Sequence, residues 1–197
     1  MKTMEYAAQL VDVESLYILI QHNPLVLEEI DSIPFIETPL HVAARAGDVE
    51  FANEIMILKP SFSRKLNLQG LIPVHLALEY SHTTMVLHLI HMDKELVRVK
   101  SRGGLTLLHL ASKSGDRNLL TVFLEACPDS VKDLTARNET VLHLYEKFEI
   151  FEFLFKWLRI NNVELQTILN QKDVEGNTIL HITATRNDTM VNLYLSL

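Results

Sequence analysis

A short phrase ending in histidine recurs along this chain of 197 residues at almost constant intervals. The first three intervals are identical and the last is slightly longer, between His41, His75, His109, His143 and His181. The residues before them are also alike, as in Thr38-Pro39-Leu40, Thr106-Leu107-Leu108 and Thr178-Ile179-Leu180. A period of roughly 20 to 50 residues is typical of stacked supersecondary units, in which each unit contacts only its neighbours. The period therefore predicts an array of repeats instead of one globular core.

Each repeat is expected to hold two helices joined by a tight turn. Threonine followed by proline is typical of a helix start, because the hydroxyl can cap a free backbone N–H and proline fits the first turn. In the second repeat Gly47 is expected to end the first helix. The buried side of the second helix is then expected to comprise Val49, Ala52, Ile55, Met56 and Leu58.

A turn with positive φ is expected five residues before each of the last four histidines. Glycine or asparagine, which tolerate that conformation, stands there each time: Gly70, Gly104, Asn138 and Gly176. A period of about 33 residues with a Thr-Pro-Leu-His phrase is the signature of ankyrin repeats. The predicted fold class is an all-α ankyrin-repeat solenoid of about six helix-turn-helix repeats.

The repeat register predicts one domain over residues 1–197. Its repeats are expected at 1–30 (an atypical cap), 31–64, 65–98, 99–132, 133–170 (irregular) and 171–197 (incomplete). The cap is recognised because Ala7-Ala8-Gln9-Leu10-Val11 parallels the segment that begins at Ala43. The last helix is apolar, with Met190, Val191, Leu193, Leu195 and Leu197, whereas a terminal repeat needs a polar outer face. We therefore expect the natural polypeptide to continue beyond Leu197.

The fifth repeat departs from the pattern. Tyr145 and Glu146 replace the small pair that follows the histidine elsewhere, and four extra residues precede His181. Five aromatic residues crowd the same region: Phe148, Phe151, Phe153, Phe155 and Trp157. Bulky core filling is the favoured interpretation. The alternative is an exposed aromatic patch that receives a partner.

Composition excludes several classes of protein. A net charge of −7 argues against general nucleic-acid binding, which needs a concentrated basic surface. Cys127 is the only cysteine, so no intramolecular disulfide is possible. No signal peptide is visible, and no segment approaches the roughly 18 to 20 apolar residues of a membrane span. These features predict a soluble, cytoplasmic chain.

No catalytic constellation is apparent, so the chain is predicted to be no enzyme and to need no cofactor. The five periodic histidines are spread one per repeat and are interpreted as structural groups that bond loop backbone. A zinc site needs three or four ligands that converge on one point. His88 and His91 share a helix face, but no third ligand is evident. A metal-dependent hydrolase is therefore the most distant alternative.

The predicted partner-binding residues lie at loop tips and on the outward side of each first helix, where a repeat protein presents its concave face. They are Phe35, Glu37, Arg45, Leu68, Gln69, Glu79, Tyr80, Arg102, Leu105, Lys113, Ala136, Arg137, Glu139, Lys147, Glu175, Asn177 and Arg186. Six of them are basic and four acidic, which favours an acidic partner segment, although chance composition explains the same excess.

The chain resembles the plant ankyrin-repeat membrane proteins with a C-terminal PGG domain, nearest to the bian-da type. The resemblance is carried by the repeat phrases, by Leu96-Val97-Arg98 and by Ser101-Arg102-Gly103-Gly104. It implies a protein-binding domain on the cytosolic face of a membrane, a role in innate immunity, and receptor-like proteins among its partners. Neither a PGG motif nor a membrane span occurs in these residues, so a free cytosolic adaptor is the alternative.

Overall fold

The computed structural model describes residues 12–161 and 163–195, and within them all regular structure is helical. The predicted all-α helical-repeat fold is confirmed. Two compact units divide between Leu96 and Val97. Residues 1–11, which include the alanine pair of the predicted cap, lie outside the described part. So do Leu197 and the side chain of Leu195.

The first unit contains six α-helices in the described residues, and they pack as pairs. Helix α3 contacts α5, and α4 contacts α6, so equivalent helices of the second and third repeats lie side by side. A 3-10 helix, Pro60–Arg64, follows α4 and packs on it. The helices are α1 Val13–His22, α2 Val26–Ser32, α3 Pro39–Ala46, α4 Val49–Leu58, α5 Pro73–Glu79 and α6 Thr83–Met92.

The second unit repeats this arrangement with one irregular member. Short 3-10 helices span Arg102–Gly104, Pro128–Lys132 and Val141–Leu144, and another, Lys94–Arg98, contains the division between the units. The α-helices are α7 Leu107–Ser114, α8 Arg117–Ala126, α9 Phe148–Ile160, α10 Leu165–Asn170, α11 Ile179–Thr185 and α12 Thr189–Leu195.

The helix boundaries follow from local chemistry. Gly47 ends α3 in the left-handed conformation, with φ of 72°, as predicted. Asp48 then caps α4 by accepting the backbone N–H of Phe51 at 2.9 Å. Asp116 caps α8 in the same way through Leu119 at 3.0 Å. The predicted positive φ is also found at Gly70, Gly104, Asn138 and Gly176.

The core of the second repeat differs from the prediction at the two ends of α4, where Val49 is half-buried and Leu58 is exposed. Ala52, Ile55 and Met56 are buried as expected, and Phe51 joins them. Leu58, expected to be buried, is 38% exposed. It is the last residue of α4, so no further turn of that helix covers it.

The fifth repeat has no first α-helix. The single 3-10 turn Val141–Leu144 replaces it, and α9 then runs for 13 residues where α4, α6 and α8 each have 10. The short element α10 follows α9 before the last repeat begins. No helix in the described part of the chain is both long and apolar enough to span a bilayer.

Candidate interaction surface

The recurring histidine takes part in capping the N-terminus of its own helix. In the second repeat the backbone N–H of Thr38 donates to Nδ1 of His41 at 3.1 Å, and the Thr38 hydroxyl lies 2.8 Å from the same nitrogen. Because Nδ1 accepts, the proton is on Nε2, which donates to the carbonyl of Leu71 at 3.1 Å. We call this arrangement the histidine clasp. It ties the start of one repeat to the loop that precedes the next.

The Nδ1 half of the clasp recurs through the chain, whereas Nε2 of His109 is buried without a hydrogen-bond partner among the described residues. Nδ1 lies 3.2–3.3 Å from the backbone nitrogen three residues earlier at His75, His109, His143 and His181. Nε2 of His143 also lies 3.4 Å from the carbonyl of Asn177. His181 differs because its side chain is exposed, whereas the other four histidines are buried.

Burial favours the neutral form of three clasp histidines. Desolvation lowers the pKa of His41 and His143, and it lowers the pKa of His109 to about 4. Backbone carbonyls act in the opposite direction but do not outweigh it.

In residues 12–161 and 163–195, no group of three or more His, Cys, Asp or Glu side chains is placed to hold a metal ion, and the pair His88 and His91 on α6 gains no third ligand there.

The first unit presents three large apolar side chains to solvent at predicted positions. Phe35 is 53% exposed, Leu68 is 76% exposed and Tyr80 is 51% exposed. The loops that carry the first two are joined, because the backbone N–H of Ile36 donates to the carbonyl of Leu66 at 3.1 Å. Exposed apolar groups held on a rigid backbone are typical of interaction sites.

The predicted charges of the first unit are largely paired. Arg45 forms a salt bridge with Glu37, which also accepts from Asn67 Nδ2 at 3.1 Å. The Arg45 guanidinium lies 6.0 Å from the centroid of the Tyr80 ring. Gln69 and Glu79 are exposed, and Glu79 forms no ion pair within the described part of this unit. We call Phe35, Glu37, Arg45, Leu68 and Tyr80 the first-unit face.

His82 also belongs beside this face, and sequence reasoning missed it. Its Nε2 lies 2.9 Å from the carbonyl of Arg45, and its ring covers Gly47 so closely that a Cβ there would fall 2.7 Å from Nδ1. His82 stands at the N-cap of α6, where Asp48 and Asp116 cap α4 and α8. The histidine at a position where two other repeats have aspartate was the sequence signal that could have identified His82.

The second unit presents exposed cations. Arg102, Lys113 and Lys147 are exposed and form no ion pair with the described residues. The aliphatic part of Lys147 lies over Gly115, where a Cβ would approach it to 3.3 Å. We call these three residues the second-unit face. Leu105, predicted to be a binding residue, lies in the loop before α7 and is half-buried, so it is less exposed than these three cations.

Five other predicted residues of the second unit form internal ion pairs or hydrogen bonds. Arg137 pairs with Glu139 at 3.6 Å and with Glu175. Asn177 accepts from His143 and donates its side-chain amide to Asp173 at 3.4 Å. Ala136 is exposed, and its backbone N–H donates to the carbonyl of Gly103 at 2.9 Å.

Arg186, the last predicted residue, supports the irregular fifth repeat. It donates to the carbonyl of Tyr145 at 2.7 Å and lies 5.3 Å from that ring. The Tyr145 hydroxyl donates to Asp188 at 2.8 Å, and burial together with this bond raises the pKa of the phenol. Tyr145 thus joins the fifth repeat, which lacks a first α-helix, to Arg186 and Asp188 of the sixth repeat.

The aromatic cluster fills the interior of this unit. The rings of Phe148, Phe151 and Phe155 lie 6.0, 6.3 and 5.3 Å from the ring of Tyr194, and Phe153 lies under Arg117 at 5.0 Å. All four phenylalanines are buried or half-buried, as is Trp157. The structure favours core filling over an exposed aromatic patch.

The helix pairs and the positive-φ turns recur with the period typical of ankyrin repeats, and the chain is similar to proteins named for such repeats. The chain is similar to ankyrin repeat-containing protein BDA1 of Arabidopsis thaliana, with 54% identity over 59 residues, which cover 30% of this chain and 14% of that protein. It is also similar to ankyrin repeat-containing protein At5g02620 of the same plant, with 31% identity over 99 residues, 47% of this chain and 19% of that protein.

A more distant similarity covers more of the chain. Transient receptor potential cation channel subfamily A member 1 of Drosophila melanogaster is 28% identical over 152 residues, 74% of this chain and 13% of the channel. The chain thus spans less than a fifth of the length of each relative. No family model matches it. These similarities support a protein-interaction role and favour binding over catalysis.

Proposed function

We propose that the chain is the scaffolding or sensing domain of a plant membrane-associated ankyrin protein in innate immune signalling, and that it holds a protein partner on its two faces. The observation that carries the proposal is the exposure of Phe35, Leu68 and Tyr80 on a hydrogen-bonded framework. Large apolar groups that are already held in place cost little entropy when a partner covers them.

The partner we propose is an acidic segment of a protein, for example of a receptor-like protein. Arg102, Lys113 and Lys147 support this chemistry because no carboxylate among the described residues of the second unit neutralises them. Arg45 and Arg137 support it less, since each already pairs with glutamate. We therefore propose apolar contacts as the binding chemistry of the first unit and charge attraction as that of the second.

The membrane and defence parts of the proposal rest on the resemblance to plant ankyrin proteins with a PGG domain. In this proposal the domain lies on the cytosolic face of a membrane. Sequencing of the transcript past the codon for Leu197 tests that placement. Several long apolar runs and a PGG motif are expected downstream, and a stop codon directly after Leu197 would favour the free cytosolic adaptor.

The binding proposal is tested by capture from plant extract with quantified mass spectrometry. The double substitution Phe35→Ala with Tyr80→Ala is expected to reduce recovery of the specific partner at least tenfold, because truncated interface aromatics cost roughly 1 to 2 kcal/mol each. The melting temperature should stay unchanged, since both side chains are exposed.

A matched control uses apolar side chains of the second helices. Ile57 and Leu87 are 64% and 40% exposed, and Ile57→Ala with Leu87→Ala should leave capture unchanged. Equal loss of capture in both double variants would contradict a site at the first-unit face. Unfolding of the Phe35 and Tyr80 variant would show that these residues belong to the core.

A further inference from the structure

A cavity of about 620 Å³ opens within the second unit, and no residue of the second-unit face lines it. One wall is the 3-10 turn Pro128–Lys132 of the fourth repeat, and the other is the end of α9 together with α10. Its volume falls in the range of roughly 300 to 1,000 Å³ that is typical of ligand sites. Neither the histidine clasps nor the two faces account for it.

The cavity lies where the repeat pattern changes. After α4 and α8 the chain enters a 3-10 turn directly after the helix, at Pro60–Arg64 and Pro128–Lys132. Helix α9 is longer and is followed by a loop and by α10 instead of such a turn. We call the segments that follow the second helices return segments; those after α8 and α9 line the two sides of the cavity.

Two salt bridges, at different positions of the repeat, join successive return segments elsewhere, and neither has a counterpart among the described residues here. Arg64 binds Asp93 at 2.7 Å, and Arg98, one repeat later, binds Asp133 at 2.6 Å. Lys132 stands one further repeat along the chain, but the positions equivalent to the two aspartates hold the neutral amides Asn161 and Gln171. Lys132 pairs instead with Asp129 in its own turn, at 2.8 Å.

The polar groups that remain around the cavity are hydrogen-bond acceptors. Asn161 donates its amide to the carbonyl of Trp157 at 2.8 Å, and Gln171 donates its amide to the carbonyl of Lys172 at 3.1 Å. These bonds fix which amide atom is the oxygen, and both oxygens lack a donor among the described residues. Glu164 accepts the Thr167 hydroxyl at 3.2 Å and has no cationic partner there.

The apolar part of the lining includes Trp157, Val131 and Ile168. A guanidinium group has five donors and no acceptor, and it stacks on aromatic rings. It therefore matches two amide oxygens, an unpaired carboxylate and an indole. The lining carries two carboxylates against one ammonium, and the whole chain has a net charge of −7, so a cation is also favoured electrostatically.

We infer that this cavity binds an arginine side chain of a partner polypeptide, with an adjacent apolar residue of that segment against Val131 and Ile168. The volume leaves room for more than the arginine, and the amide oxygens suit backbone N–H groups of the same segment. This site goes beyond the proposed binding faces and requires a partner segment of opposite charge.

Trp157 provides a direct readout because it is the only tryptophan in the chain. The intact protein is titrated with acetyl-Leu-Arg-Leu-amide while the tryptophan emission is recorded. Saturable change is expected with this peptide. Binding at least tenfold weaker is expected with the matched citrulline peptide, which keeps the shape and removes the charge, and no saturation with the matched glutamate peptide.

Variants of the protein locate the effect. Glu164→Gln is expected to weaken binding of the arginine peptide about tenfold without a change in melting temperature, because Glu164 is exposed. Glu125→Gln, an exposed carboxylate on α8 outside the cavity, should leave binding unchanged. Equal affinity for the arginine, citrulline and glutamate peptides, or an unaltered affinity of Glu164→Gln, would overturn the inference.

Two further arms separate this site from its alternatives. Agmatine, a small guanidinium compound, should bind far more weakly than the peptide, and equal affinity would overturn the assignment to a polypeptide. The variant with Phe35→Ala and Tyr80→Ala should bind the arginine peptide normally. Failure of the binding faces and failure of the cavity are thus observed in different experiments.

Discussion

The two units use the same histidine clasp but present different chemistry to solvent. The first exposes Phe35, Leu68 and Tyr80 and pairs Arg45 with Glu37. The second exposes Arg102, Lys113 and Lys147, with no carboxylate partner among its described residues. The clasp and the buried helix sides hold each repeat together, so the exposed positions are not constrained by packing and can differ between units.

The units also differ in how a first helix is secured. In the second repeat the small residues Ala43 and Ala44 are buried, and α3 completes two turns. In the fifth repeat Tyr145 occupies the position equivalent to Ala43 and the helix stops after one 3-10 turn. The bond from Tyr145 to Asp188 then supplies a long-range link where local helical bonds are missing.

The largest expected effect on stability is at Tyr145, whose bond to Asp188 links the repeat that lacks a first α-helix. Tyr145→Ala should lower the free energy of unfolding by about 3 to 5 kcal/mol, because it leaves a cavity and removes the bond to Asp188. Tyr145→Phe should cost only about 1 kcal/mol, since the ring remains. Denaturant unfolding followed by circular dichroism measures both. Tyr80→Ala is the matched control, and an equal loss there would contradict the difference between the two tyrosines.

Acid should weaken the clasps in a defined pH window. The pKa of His109 is about 4 in the folded chain and near 6.5 when unfolded, so the unfolded chain takes up the proton first as the pH falls. The free energy of unfolding should therefore be constant above pH 6.5 and fall between pH 6.5 and 4. Protonation linked to His109 should lower the free energy of unfolding by roughly 3 kcal/mol over this range. A pH series of urea midpoints checks this, and a rise in stability on acidification would contradict it.

Removal of single clasps compares a buried histidine with an exposed one. His109→Ala should lower the free energy of unfolding by about 1 to 3 kcal/mol, because the buried N–H of Thr106 loses its acceptor. It should also reduce the fall in stability on acidification. His181→Ala should have a smaller effect, since its ring is exposed. Equal melting temperatures for His109→Ala and the unaltered chain would count against a structural role.

The smallest effect concerns the charges of the second-unit face. Lys113→Glu or Lys147→Glu should each weaken binding of an acidic partner a few-fold, because exposed charges contribute only tenths of a kcal/mol to about 1 kcal/mol. Binding should also become less sensitive to salt. Affinity measured at two salt concentrations tests this. Lys94→Glu, an exposed lysine of the first unit, provides the control of equal charge, and an identical loss there would indicate a general charge effect.

Much of the fold could be predicted because it depends on local chemistry. The period placed the first helices of the second, third, fourth and sixth repeats, and Gly47 marked the end of α3. Leu58 was misplaced, because periodicity alone does not show that a helix ends before its last apolar residue is covered. In the fifth repeat the sequence signalled irregularity at Tyr145, but not that a 3-10 turn would replace the helix.

The amino-acid sequence by itself determined the repeats, the clasps and the turns, since each depends on residues a few positions apart along the chain. The tertiary structure alone decided which exposed side chains remain available. Arg137 and Glu175 belong to neighbouring repeats and meet, whereas Lys132 pairs within its own turn, with Asp129. Whether such distant groups meet depends on how successive helices pack, because charge pairing and cavity formation require positions in space that no local pattern specifies.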